Sequence, residues 1–240
     1  MAAALTAAVV LSPTAIHAGR PLDTEDTGTV EPGAGEVETG LDLSRQGGTS
    51  AFGSRLVLSL GVAPHLEVRA EAAVVALDHP GEASRAGFGD SLVGLKYRLL
   101  DESVGTPAVL VAAAARLPTG DAGRGLGEPA PAVITLAAVS RTLGTVTLTA
   151  NAGYVFEVSA RAHDTVIAAL AAEQRIGPRW TVVAEVFARL GVWGADDRVI
   201  ARAGATWHLL ERVRVDGAVG TGLGRHGADL LSTLGATFRF

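Results

Sequence analysis

From Gly35 to the C-terminus this chain alternates in character with a period of two residues, and that pattern constrains its fold more than any other feature. Successive side chains of a β-strand point to opposite faces, so a two-residue period is a strand signal. Between Leu66 and Val74 the residues Leu66, Val68, Ala70, Ala72 and Val74 share one face, and Glu67, Arg69 and Glu71 share the other. Three charges on one face of one strand are costly against lipid or a dry core but reasonable in a wet interior.

The pattern recurs. Glu36, Glu38, Gly40 and Asp42 oppose Val37, Thr39, Leu41 and Leu43. Asp90, Lys96 and Arg98 oppose Val93, Leu95, Tyr97 and Leu99, and Arg116 opposes Val109 to Leu117. Glu185 and Arg189 oppose Trp180, Val182, Ala184 and Val186, and Arg214 and Asp216 point inward from the segment after Arg212. The final segment places Leu234, Ala236, Phe238 and Phe240 on one face. Val133 to Arg141 is apolar on both faces, so its facing is open.

About twelve such segments are expected, an even number as bacterial barrels require. The links near Pro64, Glu102, Gly144, Pro178 and Glu211 are short, and those near Pro80, Asp121, Ala160, Ala195 and His226 are longer. The first link, at Gly47, breaks the alternation. Short periplasmic turns alternating with longer external loops define the architecture and put both termini on the periplasmic side. The fold class expected is all-β: a transmembrane antiparallel up-and-down β-barrel of about 12 strands spanning residues 35–240.

Composition excludes other classes. Mean hydropathy is +0.32, high for a water-soluble chain. Yet no internal stretch of about 18 apolar residues lacks charge, so no transmembrane helix is expected. The net charge of −5 and the lack of a basic run give no nucleic-acid signal. The chain has no Cys, which removes disulfides and thiolate sites. The His residues are isolated, with no metal-pair spacing, and no metal or cofactor is expected. Gly123 to Gly127 (GRGLG) lacks the Lys-Ser/Thr ending and following helix of a phosphate cradle, and reads as a flexible external loop.

Residues 1–18 read as a signal peptide, with an apolar stretch from Ala2 to Leu11 and Ala18 at the cleavage position, although the usual positive start is missing. The alternative is a buried N-terminal helix, against which Pro13 argues. Residues 19–34 form an acidic, turn-rich lead-in that could lie under the barrel mouth or enter the lumen. Asp23, Glu25 and Asp26 are candidate gate residues there, or else a solvated tail.

A soluble sandwich also alternates, but its polar faces would meet water and its apolar faces would form a core. The barrel is preferred because the apolar faces are rich in Ala, Val and Leu with aromatics near strand ends, whereas the polar faces mix both signs of charge. The closing strand, ending on Phe240, is similar to the terminal strand of bacterial outer-membrane barrels, which implies the barrel-insertion machinery as a partner besides the membrane lipid.

Arg20 to Gly40 (RPLDTEDTGTVEPGAGEVETG), Gly87 to Glu102 (GFGDSLVGLKYRLLDE), Arg116 to Asp121 (RLPTGD) and the closing strand together resemble the MetA-pathway of phenol degradation family. The resemblance implies an outer-membrane channel that passes a small-molecule solute, aromatic or hydrophobic in type. The residues expected to line its pathway are Glu36, Glu38, Glu67, Arg69, Glu71, Asp90, Lys96, Arg98, Arg116, Glu185, Arg214 and Asp216. The bland alternative for these charges is a salt-bridged filling that holds the barrel in shape.

No catalytic residue is expected. The rival class is a barrel enzyme, a lipid hydrolase or acyltransferase, which needs a nucleophile beside a positioned His. His208 is the only His well inside an expected strand, and the sequence shows no evident Ser partner. A closed structural barrel is the third possibility.

Overall fold

In a computed structural model that describes residues 19–159, 163–192, 197–224 and 227–240, the chain forms a closed antiparallel barrel. The expected signal peptide, residues 1–18, lies outside the described residues. The strands are β1 (Gly35–Gln46), β2 (Thr49–Ala63), β3 (Leu66–Asp78), β4 (Arg85–Phe88), β5 (Ser91–Leu100), β6 (Ala108–Leu117), β7 (Ala132–Leu143), β8 (Val146–Glu157), β9 (Thr165–Ile176), β10 (Trp180–Gly191), β11 (Arg198–Leu210), β12 (Val213–Leu223) and β13 (Leu230–Arg239).

Apart from β4 and β5, strands next to one another in sequence pair, and the ring closes through β1 against β13. The register places Gly40 opposite Gly235 and Val37 opposite Phe238. β4 and β5 both pair with β3, so they are two halves of one stave interrupted at Gly89–Asp90. The barrel therefore has twelve staves. Closure pairs the edges of the sheet, the condition for placing backbone N–H and C=O groups in hydrocarbon.

The turns follow the expected alternation except near Glu102, where the link expected to be short runs from Asp101 to Pro107 and outlasts the link near Pro80. The first link is a two-residue hairpin turn at Gly47–Gly48, whose φ values are +56° and +87°. Two positive φ angles give the turn whose twist suits antiparallel strands, and glycine adopts them without a Cβ penalty. The link near Pro80 is shorter than the sequence suggests, because β3 runs on to Asp78 and pairs there with β4.

Burial is inverted relative to a water-soluble protein. Leu41, Leu170 and Leu234 are about two-thirds exposed, at 65%, 67% and 65%. Glu67, Glu185 and Lys96 on the other face are 2–4% exposed. Outward apolar side chains form a continuous band, with Trp180 stacked on Trp207 and Phe238 on Phe240 at the end that carries the C-terminus. That end is the proximal rim below and the opposite one the distal rim. Tyr154 and Phe156 stand toward the distal rim. An apolar belt edged by aromatics is what lipid on the outside selects.

One expectation is corrected. The inner face is not charged all round. Leu110, Ile134, Leu136, Val155, Ile167 and Phe187 point inward from β6 to β10 and pack together, fully or almost fully buried. β7 buries Ala132, Ile134, Leu136, Ala138 and Ser140, which settles its facing. The two faces of β7 are equally apolar because one meets lipid and the other meets a packed interior.

Candidate functional site

The lead-in occupies the barrel. From residue 19 to residue 34 it runs inside the proximal half and leaves along the wall, where Pro32 bridges Gly61 in parallel and Gly33 N donates to Gly61 O at 2.8 Å. Its turn-rich sequence leaves many backbone groups without partners of their own, and inward polar side chains supply them. Glu185 on β10 accepts from Asp23 N at 3.0 Å and from Thr24 N and Thr24 Oγ1 at 2.8 and 2.7 Å. Asn151 on β8 binds Glu25 through both backbone groups. Glu67 on β3 accepts from Val30 N at 3.0 Å, and Arg98 donates to Thr29 Oγ1 at 2.9 Å.

Ion pairs complete the docking. Glu25 is fully buried; Lys96 Nζ stands 2.6 Å from its Oε1 and Arg69 Nη1 is 3.2 Å from its Oε2. Asp23 pairs with Arg202 at 2.9 Å, and Lys96 reaches Asp26 at 3.6 Å. Arg20 lies against β1 and β13. Its Nε is 3.3 Å from Asp216 Oδ1, and Nη2 donates to Thr233 Oγ1. A Cβ built on Gly40 or Gly235 would overlap the Arg20 guanidinium, so the paired glycines are the seat that the arginine occupies. Leu22 is the apolar anchor, packed on Ala171 and Val183.

The expected pathway residues thus separate into three groups. Glu67, Arg69, Lys96, Arg98, Glu185 and Asp216 touch the lead-in directly. Glu36 and Arg214 pair at 3.1 Å on the proximal rim, with Arg239 also on Glu36, and Glu38 lies beside them. Glu71 is buried on the same wall. Asp90 and Arg116 lie apart from all of these, at the distal end. A cavity of about 220 Å³ remains beside the lead-in, lined by Glu36, Glu38, Glu67, Arg69, Lys96 and Arg214.

Asp23 and Glu25 sit inside the barrel in ion pairs, which corrects the reading of a solvated tail; Asp26 is half exposed at the edge. Arg20, Asn151, Arg202 and Arg239 were not singled out from sequence as site residues. Strand parity was the available signal for Asn151, Arg202 and Arg239, since each falls on the inward face of its strand. His208, the residue on which an enzyme reading turned, has Nε2 at 3.2 Å from Thr181 Oγ1.

On the β6 to β10 side the inner face changes from the distal end inward: Arg116 and Glu157 pair at the rim, Ile134, Val155, Ile167 and Phe187 form an apolar patch below, and the ionic contacts of the lead-in follow. A closed strand cylinder, greasy outside, with its own N-terminal segment pinned in an ionic interior, defines a plugged transmembrane β-barrel.

A family model matches residues 18–240, and the chain belongs to the MetA-pathway of phenol degradation family. No curated protein matches the sequence. Among solved structures, the COG4313 outer membrane channel from Pseudomonas putida F1 superposes with a TM-score of 0.73 at 14% identity, covering 92% of this chain and 100% of that one. The KdgM porin superposes at 0.62 with 8% identity, covering 85% and 99%. The CymD monoaromatic hydrocarbon channel superposes at 0.50 with 10% identity, covering 88% and 89%.

Proposed function

We propose that this chain is a channel of the bacterial outer membrane that lets small molecules cross passively, with residues 19–34 as its gate. One observation carries the reading: the lead-in is held mainly by ion pairs and hydrogen bonds to the wall, with Leu22 as its apolar anchor. Polar docking of a short segment is reversible, because each group released can be rehydrated in a wet lumen. Residues 1–18 serve as the export signal, the short-turn end faces the periplasm, and the insertion machinery reads the strand ending on Phe240.

The solute class proposed is small, aromatic or hydrophobic. The family's name refers to phenol degradation, and one structural neighbour is described as a monoaromatic hydrocarbon channel. The apolar patch on the β7 to β10 wall supports this, since an apolar solute passes against it without losing hydrogen bonds. The charges around the lead-in tune preference below it.

The dense packing of that patch favours a second reading, a closed structural barrel. Planar-bilayer conductance and solute flux into liposomes separate the two. Flux that rises when residues 19–34 are removed supports the channel; no conductance and no flux with or without them leaves the closed barrel.

A further inference from the structure

The distal mouth carries a second closure built on other residues. Gly123 to Gly127, read from the sequence as a flexible external loop, belong to a link from Pro118 to Pro131 that folds back into the mouth. Leu126 is 3% exposed and packs on Ala51, Val75 and Leu77, all on the inner faces of β2 and β3. The loop's two limbs cross at a neck. A Cβ on Gly120 would stand 2.7 Å from Leu126 O and 2.9 Å from Gly127 Cα, so side chains are excluded where the limbs meet.

A single carboxylate fastens that neck. Asp90, fully buried at the break between β4 and β5, accepts from Gly120 N at 3.0 Å through one oxygen and from Glu128 N at 2.8 Å through the other. Arg116 stands behind it, 3.7 Å from Asp90, held by Glu157 at 2.6 Å and by Ala130 O at 3.2 Å. Breaking the β4–β5 stave at Gly89–Asp90 is what leaves Asp90 free to face the loop rather than run on in the ladder.

We propose that residues 120–128 are an outer lid, seated by Leu126 and fastened by Asp90, that closes the distal mouth in series with the lead-in. The two closures share no residue, so undocking one leaves the other in place. The proposal rests on the channel reading above.

The test uses full-length chain in liposomes. Leu126→Cys in this Cys-free chain is labelled from outside with a membrane-impermeant maleimide, beside Glu82→Cys on the exposed neighbouring link. The thiol at position 126 is expected to react at least tenfold more slowly than the thiol at position 82, and Asp90→Ala to remove most of that difference. Equal rates without the Asp90 change overturn the lid. In the second arm, flux of a small neutral solute is compared for Leu126→Ser (lid), for Arg20→Ala with Lys96→Met (lead-in), and for all three together. The combined variant is expected to exceed either alone by tenfold or more. A single set that matches the combined flux overturns the series arrangement but leaves the channel standing. A combined variant that is folded by heat-modified gel mobility and carries no flux overturns the channel reading, and the lid's gating role with it.

Discussion

Asn151 holds Glu25 by both ends of its peptide backbone: Glu25 N donates to Asn151 Oδ1 at 2.6 Å, and Asn151 Nδ2 donates to Glu25 O at 2.8 Å. The side-chain amide thus imitates a strand partner for a segment that has none. The Glu25 carboxylate meanwhile meets Lys96 on β5 and Arg69 on β3. Glu25 is therefore the point where the lead-in is tied across the lumen.

Asn151→Ala leaves a buried N–H and a buried C=O without partners, at about 1–3 kcal/mol each. Hydrogen exchange of the amides of residues 22–28 should accelerate by at least tenfold, while exchange in β8 and β9 stays unchanged. Equal protection in the variant would show that the clamp is dispensable.

Lys96→Met removes one cation from a fully buried carboxylate. Breaking a buried pair from one side costs about 3–5 kcal/mol when the remaining charge is uncompensated, and the cost here falls below that range because Arg69 still pairs with Glu25. The lead-in should leave the lumen in a larger share of molecules, read as higher single-channel conductance or longer open times. Glu25→Gln in the Lys96→Met background should restore part of the closure, since the buried side chain then carries no charge, and its remaining partner Arg69 keeps Glu67.

Gly40→Ala and Gly235→Ala should each displace Arg20 from its seat between β1 and β13. The expected cost is about 1–3 kcal/mol of docking, typical of an overpacked contact. A double-mutant cycle checks the cause. In an Arg20→Ala background the same glycine changes should have almost no effect on protection of the lead-in.

The two faces of the strands predict opposite tolerances. Leu170→Arg, at the middle of β9 on the lipid side, should destabilise the barrel by about 2–4 kcal/mol. Glu173→Arg, on the inner face of the same strand where the side chain is only partly buried, should cost less, because a lumen charge there keeps polar neighbours. Urea unfolding in phospholipid vesicles gives both values, and a reversed order would contradict the assignment of faces.

Glu102, on the exposed link after β5, accepts from Thr142 N at 2.7 Å and Thr142 Oγ1 at 2.9 Å. These bonds favour the ionised form and hold its carboxyl below the usual carboxylate range, with Arg141 adding a smaller pull. A lowered folded pKa stabilises the fold above the unfolded value, roughly pH 4.3, and the contribution is lost as pH falls through the folded value. NMR titration of the Glu102 carboxyl should show the low value, and Thr142→Val should raise it.

Much of the fold was legible because a period of two is local. Wherever one face of a strand carried Glu, Arg or Lys and the other Leu and Val, as between Leu66 and Val74, the side facing lipid followed at once. That reasoning failed on β7, where Ile134 and Val139 are equally apolar yet point to opposite sides. It failed again on the Gly120–Glu128 loop, whose glycines suggest mobility but serve close contact with Asp90.

The alternation, the strand count and the inward set of charges were determined by the sequence alone, since each depends on residues a few positions apart. Which charges meet was decided only by the closed barrel. Asp23 and Glu185 stand 162 positions apart, and Glu25 and Asn151 126 apart, so their pairing depends on stave register and on the path of the lead-in. No local pattern encodes such distances, because the entropy of bringing those segments together is met by the sheet as a whole.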